Sequence, residues 1–312
     1  MRFAGFMYHE LEKSDDEAED FDNEALQSFS IAGKQAAEAL EFGKNLIKKG
    51  ARIIDILDKV EAKIGKNIAF PAQLSINDVA AHSCPDDGDV SVLGDDVVKL
   101  DVGVHVNGYI ADNAVTVDLS GKWKELLKAN TEALNAAIAI AVPGTSTGTI
   151  GKTVQEILSS YGYSAVRNLS GHGLGRYKVH TLPSIPNVPT GSPTKLRAGM
   201  VIAIEPFATN GAGVVYESGE AGVYMLEKKK SVRDPITRSA LSFIEKYNGL
   251  PFARKWLTRQ FGKGRTNFAL RHMEQQEILR GYPPLVDEKH GIVSQMEKTV
   301  LVAEKPVVLT KV

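Results

Sequence analysis

Two carboxylates inside an apolar hairpin are the first residues here that could do chemistry. The stretch KLDVGVHVNGYIADNAVTVDL, residues 99–119, alternates apolar with small or polar residues around Asn107-Gly108. Asn-Gly between alternating runs predicts a two-residue turn, because both central residues need positive φ. That turn sets Gly103 opposite Asp112 and Asp101 opposite Ala114. Asp101 and Asp112 then lie diagonally on one face, their backbones about 7–8 Å apart. Like charges this close are destabilising unless a cation or a proton intervenes. Val102, Val104, Val106, Tyr109 and Ala111 make the other face the core side. Gly103 and Ala114 leave room beside the acids, which favours a metal site over two solvent-facing aspartates. The same register puts His105 diagonal to Asp112, as a weaker ligand candidate.

Three further groups could complete such a site. His172 stands between glycines in NLSGHGLG, residues 168–175, which is read as a glycine loop that leaves the imidazole uncovered. Glu205 ends the apolar run MVIAIE just before Pro206, and Glu297 lies inside IVSQMEKTVLV. An acid in either place is at a wet strand end or is held by a cation. Two Asp, two Glu and one His form an oxygen-rich set that suits a pair of divalent first-row metals.

The elements that must position these groups are legible from periodicity. Helices are expected over about 27–48, 53–64, 123–142 and 149–161, the third stopped by Pro143-Gly144. FPAQLSINDVAAHSCP, which holds His82, reads as loop-rich, and 183–193 as a proline-rich loop. Strands are expected at 200–205, 218–229 and 291–302. Residues 234–280 read as helical and basic, with Trp256, Phe261 and Phe268 as core anchors. Intermixed helices and antiparallel hairpins give an α+β class. A coarse duplication is suggested by acid-bearing strands near 101–117 and again at Glu205 and Glu297.

Composition sets the outer limits. The 312 residues are 43% hydrophobic and 24% charged, enough for a sizeable core. A net charge of −1 favours neither nucleic acid nor an anionic membrane as partner. The single cysteine, Cys84, excludes an internal disulfide and fits a reducing compartment. No apolar run approaches a membrane span, and the acidic start lacks the pattern of a signal peptide. A cytoplasmic protein is expected, with an acidic leader over 1–25 and one catalytic domain over 26–312.

DDVVKLDVGVHVNGYIAD resembles the signature of type 2 methionine aminopeptidases, the pita-bread metallopeptidases. AFPAQLSINDVAAHSCP, RNLSGHGLGRYKVH, IAIEPFATNG, GYPPL and GIVSQMEKTV extend the resemblance in order, from about residue 27 to the end. It implies an α+β pita-bread fold of pseudo-two-fold αβ halves, an antiparallel sheet covered by helices. A helical insertion is implied at about 232–282, and the short leader looks archaeal. The resemblance further implies five metal ligands, Asp101, Asp112, His172, Glu205 and Glu297, with Asp112 and Glu297 bridging two ions. It gives His105 no ligand role. His82 and His180 match the substrate-contacting histidines, and Phe70 and Tyr282 fall where the methionine pocket is lined. Met296 and Lys298 depart from the Phe and His usual beside the last ligand.

The implied activity is removal of the N-terminal methionine from nascent proteins whose next residue is small. Two divalent ions (cobalt, manganese, iron or zinc) would activate a water for attack on the first peptide bond. Glu205 would carry the proton, His180 would stabilise the oxyanion and His82 would position the substrate. The expected protein is a monomer, with the ribosome as a candidate place of action. A proline-specific aminopeptidase would usually carry a separate N-terminal domain, for which the motifs begin too early. A non-catalytic pita-bread binding protein would be expected to have lost ligands, and all five are present.

Overall fold

A computed structural model describes residues 21–311; residues 1–20 of the expected leader lie outside them. Residues 23–25 already belong to the first helix, α1 (Asn23–Leu46), followed by α2 (Ile53–Ile64). The helix starts four residues earlier than its apolar spacing suggests because Asp22 caps it, accepting from Ala25 N at 2.8 Å. Strands β1 (Ile68–Ile76), β2 (Val79–Ala81), β3 (Val97–Val106) and β4 (Tyr109–Asp118) come next. Helices α3 (Lys124–Ala139) and α4 (Thr147–Ser160) precede β5 (Ser164–Ala165), β6 (Ser170–Gly175), β7 (Lys178–Pro186), β8 (Val201–Ile204) and β9 (Phe207–Thr209). Then follow β10 (Val215–Glu217), β11 (Val223–Leu226), α5 (Pro235–Glu245), β12 (Phe252–Ala253), α6 (Arg254–Phe261) and α7 (Lys263–Gln275). Strands β13 (Leu279–Tyr282), β14 (Leu285–Asp287), β15 (Val293–Gln295), β16 (Lys298–Leu301) and β17 (Val307–Val308) complete the described chain.

Two antiparallel sheets carry the molecule, one in each half. The first is β1-β3-β4 and the second β17-β16-β8-β6-β7. In the first half, α1 lies on the hairpin through small residues: Ala32 and Ala36 share a core with Val104 and Ala111. Leu57 and Val60 of α2 pack on Val98, Leu100 and Val102. In the second half, α3 and α4 bury Leu126, Ala133, Ile150 and Leu158 against Ile202, Ile204 and Val300.

Threonine hydroxyls join the halves. Thr299 Oγ1 donates to Asp112 O and accepts from Asp112 N, both at 2.8 Å. Thr116 Oγ1 donates to Gln295 O at 2.6 Å and accepts from Gln295 N at 2.9 Å. A hydroxyl can do both at once, so β4 meets β15 and β16 with its backbone groups satisfied.

Three readings need correction. Residues 70–81 form strands β1 and β2, not loop; β1 is buried almost throughout, so it lacks the alternation that marks a half-buried strand. NLSGHGLG is strand over 170–175, and β7 runs into the proline-rich segment as far as Pro186. Phe268 is 49% exposed, because α7 turns Ala269, Leu270 and Met273 inward instead.

Candidate metal centre

The hairpin has the register that Asn107-Gly108 dictates: Asp101 opposes Ala114 and Gly103 opposes Asp112. Asp101 and Asp112 share a face, and both line the same cavity. Phe70 covers the face one step along; a Cβ on Gly103 would sit 2.1 Å from its ring. Only glycine fits there, and the small residue noted between the acids is in fact ring-packed.

His172 is 1% exposed. Its flanking glycines work opposite to the expectation that they uncover the ring. A Cβ on Gly171 would lie 2.2 Å from Ala203 O, and one on Gly173 2.2 Å from Leu182 O. The missing side chains let β7 and β8 close on β6 from both sides. His172 Nδ1 is 3.0 Å from Gly173 O. A carbonyl only accepts, so the ring proton resides on Nδ1 and the Nε2 lone pair faces inward. Nε2 lies 3.6 Å from Glu205 Oε1 and 3.8 Å from Asp112 Oδ2.

Glu205 follows β8 directly, and Glu297 sits between β15 and β16 with its N–H on Ala114 O at 3.1 Å. Ligand atoms of Asp112, His172 and Glu297 all lie within 4.8 Å of one another. The five residues named from sequence are therefore brought to one floor, drawn from both halves of the molecule.

That floor is electrostatically incomplete. Asp101 Oδ1, Asp112 Oδ1 and both oxygens of Glu297 are buried without a hydrogen-bond donor. Burial pushes Asp101 up to about 6. Burial, then the charge of Asp101, holds Asp112 well above the usual carboxylate range. Glu205 and Glu297 are raised for the same two reasons, burial first and neighbouring acids second. Burial also lowers His172 and His82 to about 4 and His180 well below its ordinary value. Four crowded acids, three of them with buried oxygens that meet no donor, beside a neutral imidazole fit divalent cations in both charge and donor type.

Above the floor, a cavity opens between carboxyls and apolar side chains. Phe70, Val179, Phe207, Val223, Met225 and Tyr282 line its apolar end, with His82 and His180 beside them. His180 meets His172 edge to face at 4.4 Å, and His82 meets Tyr282 likewise at 5.6 Å. His82 has φ +65°, a left-handed conformation rare for a side chain of its size. It costs about 1–3 kcal/mol and is held by the surrounding site.

His105 takes no part. Its Nδ1 accepts from Gly108 N at 3.3 Å, its ring lies 5.7 Å from Tyr177, and it lines a different cavity. Met296 packs into the apolar core, and Lys298 Nζ donates to Asn113 Oδ1 at 3.0 Å and Thr310 O at 2.9 Å. Both departures beside Glu297 thus point away from the carboxyl floor.

Sequence reasoning gave no role to Gln295. Its Nε2 donates to Asp101 Oδ2 at 3.1 Å and reaches Glu205 Oε2 at 3.5 Å, tying acids from the two halves. The two-residue spacing from Glu297 was a signal for a shared face. Val223, Met225 and Pro251 on the cavity wall were also missed, since nothing local marks them.

Residues 27–245 match the family model for metallopeptidase family M24. The chain belongs to that family. Among M24 relatives, it is 40% identical to the methionine aminopeptidase of Methanocaldococcus jannaschii over 292 residues, 92% of this chain and 98% of that one. It is 41% identical to the methionine aminopeptidase of Archaeoglobus fulgidus over 294 residues, 93% of this chain and 99% of that one. The fold is shared with the methionine aminopeptidase of Thermotoga maritima at TM-score 0.70 and 24% identity, covering 95% of this chain and all of that one. It is also shared with a prolidase from Pyrococcus furiosus at TM-score 0.62 and 20% identity, covering 94% of this chain and 65% of that one. These neighbours give the M24 chain its α+β pita-bread architecture. No helix among the described residues is long and apolar enough to cross a membrane.

Proposed function

We propose that this M24 metallopeptidase removes the N-terminal methionine from polypeptides whose next residue is small. The observation that carries the reading is the crowd of buried carboxyls, four of whose oxygens meet no donor, beneath an apolar cavity. Asp101, Asp112, His172, Glu205 and Glu297 would hold two divalent ions, with Asp112 and Glu297 shared; the ions would supply Lewis acidity and an activated water.

The remaining chemistry belongs to the chain. The apolar end receives the thioether side chain between Phe70, Val179 and Tyr282, which orients the first carbonyl toward the acids. Glu205, buried and raised in pKa, accepts a proton from the attacking water and passes it to the departing amine. His180 is neutral, so it donates an N–H to the developing oxyanion without needing a proton from solvent. His82, fixed by its left-handed backbone and its contact with Tyr282, positions the substrate near the scissile bond.

Several divalent ions suit this donor set, including cobalt, manganese, iron and zinc. On the same reading the protein is a cytoplasmic monomer that acts on nascent chains, at or near the ribosome. Release of methionine from Met-Ala-Ser is expected to need a divalent ion and to fall on the order of a thousandfold in Glu205→Gln. Cleavage of Xaa-Pro dipeptides with Met-Ala-Ser left intact would transfer the site to proline-specific chemistry.

A further inference from the structure

The apolar end of the cavity is walled by a small sheet. Pro251, Val223, Met225 and Tyr282 line it. Strands β12, β11 and β13 hold the last three in register, with Val223 opposite Ala253 on one side and Tyr282 on the other. Helix α6 begins directly after Ala253, and its side chains fasten this wall to the body. Lys255 is fully buried, with Nζ 2.9 Å from Asp58 Oδ1 and 3.0 Å from Glu61 Oε2, both on α2. Trp256 Nε1 donates to the same Glu61 oxygen at 2.9 Å. Arg259 forks Asp58 at 3.0 and 2.7 Å and donates from Nε to Asp87 at 2.7 Å. Arg254 Nε stands 3.2 Å from Asp86 Oδ2. Asp86 and Asp87 follow His82 in the same segment. At Gly222 a Cβ would fall 1.9 Å from Cys84 O, so the wall already touches that segment backbone to backbone.

We propose that Lys255 is a positioning residue for the first-residue pocket: by pinning the β12-β11-β13 wall to α2, it sets the width of the cavity's apolar end and so the selection of methionine. The inference rests on the aminopeptidase reading above. Lys255 is the buried member of the cationic set; the Arg254 and Arg259 side chains keep 13% and 39% exposure, where water can replace a lost partner. Without its ammonium, Glu61 keeps only the Trp256 N–H and Asp58 only the more exposed Arg259, so the buried tie between α2 and α6 is lost and the two helices are free to separate. Ala253 lies two residues from Lys255 and pairs with Val223, so that movement reaches the wall directly. The carboxyl floor stands on β3, β4 and β6, just past the end of β8 and between β15 and β16, outside the wall sheet. A displaced wall weakens binding of the first side chain equally in ground and transition states. That pattern raises KM and spares kcat, whereas a disturbed floor would lower kcat.

The test compares Lys255→Met, Lys255→Arg and Glu61→Gln in the full chain loaded with metal. Substrates are Met-Ala-Ser and its analogues beginning with norleucine, leucine or phenylalanine. In Lys255→Met, KM for Met-Ala-Ser is expected to rise about tenfold with kcat within about twofold, and discrimination against leucine to fall about threefold or more. Lys255→Arg should recover most of both. Glu61→Gln keeps an acceptor for Trp256, shifts both readouts the same way by less, and carries the test if Lys255→Met does not fold. Lower kcat at unchanged KM, or unchanged selectivity in folded variants, overturns the proposal. Failure of the unsubstituted protein to cut Met-Ala-Ser would instead sink the aminopeptidase reading before any variant is compared.

Discussion

Two clusters of buried charge in this molecule have opposite logic. At the latch that Lys255 and Arg259 make between α6 and α2, Asp58 is pulled below its ordinary value: burial pushes it up, but hydrogen bonds from Arg259 and Lys255 outweigh burial. Glu61 nearby stays raised by burial despite Lys255, and its Oε1 is left without a donor. Cations therefore answer most, though not all, of the acid there. At the floor, Asp101, Asp112, Glu205 and Glu297 are all raised by burial, and the side-chain amide of Gln295 reaches two of them. A latch supplies its own counter-charges and gains cohesion between elements. A floor that withholds them gives up stability so that something else can bind.

The contrast can be broken most sharply at the floor. Asp112→Asn removes one carboxylate of the floor, and hydrolysis of Met-Ala-Ser should drop about a thousandfold or more. Stability should move the other way. Without divalent ions the variant should unfold about 1 kcal/mol harder, because one of four crowded acids is gone. The unsubstituted protein should gain about 2.7 kcal/mol at a metal concentration one hundred times Kd, and the variant much less. Urea melts with and without manganese measure all three quantities. A metal-free Asp112→Asn protein less stable than its parent would mean that the acids hold the fold together as they stand.

The same type of substitution at the latch should have the opposite sign. Lys255→Met leaves Asp58 and Glu61 without their buried cation and should cost about 3 kcal/mol, with or without divalent ions. A loss that manganese restores in full would place the latch inside the metal site's own energetics, and the two clusters would no longer be distinct.

How much of this was readable in advance follows from how local each signal is. The hairpin register was fully legible, since Asn107-Gly108 admits few turn geometries and a period of two does the rest. From it came Asp101 and Asp112 on one face. The other three ligand candidates could be named, but only the resemblance joined them, because His172 lies 60 positions from Asp112 and Glu205 and Glu297 lie farther still. Strand β1 was hidden by its own burial: with both faces covered it shows no alternation, and Pro71 reads as a breaker. His172's glycines were visible, yet their purpose depends on Ala203 O and Leu182 O, which no local pattern reveals. Phe268 was misread because its helix has apolar residues on neighbouring faces and only packing chooses between them. Lys255 looked like one more basic residue in a basic segment; its partners lie almost 200 positions away.

Lys99 offers an intermediate case. It is 1% exposed, and Nζ donates to Asn77 O at 2.8 Å and Val97 O at 3.5 Å, both neutral acceptors. Burial lowers it to about 7, while the more distant charges of Asp78 and Asp96 pull back only in part. In the unfolded chain a lysine titrates near 10.4. Between about pH 7 and 10 the unfolded chain therefore binds more protons than the native one, and this residue makes stability rise with pH. Below about pH 7 both states are protonated and the contribution is flat. Against a Lys99→Met reference, which cancels the other titrating groups, the stability difference should climb by up to about 1.4 kcal/mol per pH unit in that window. Urea melts of the two proteins at pH 6, 8 and 9.5 read the slope. A difference that stays level would mean that Asp78 and Asp96 compensate Lys99 as fully as Lys255 compensates Asp58, and a buried cation with only carbonyl contacts would then behave like a paired one.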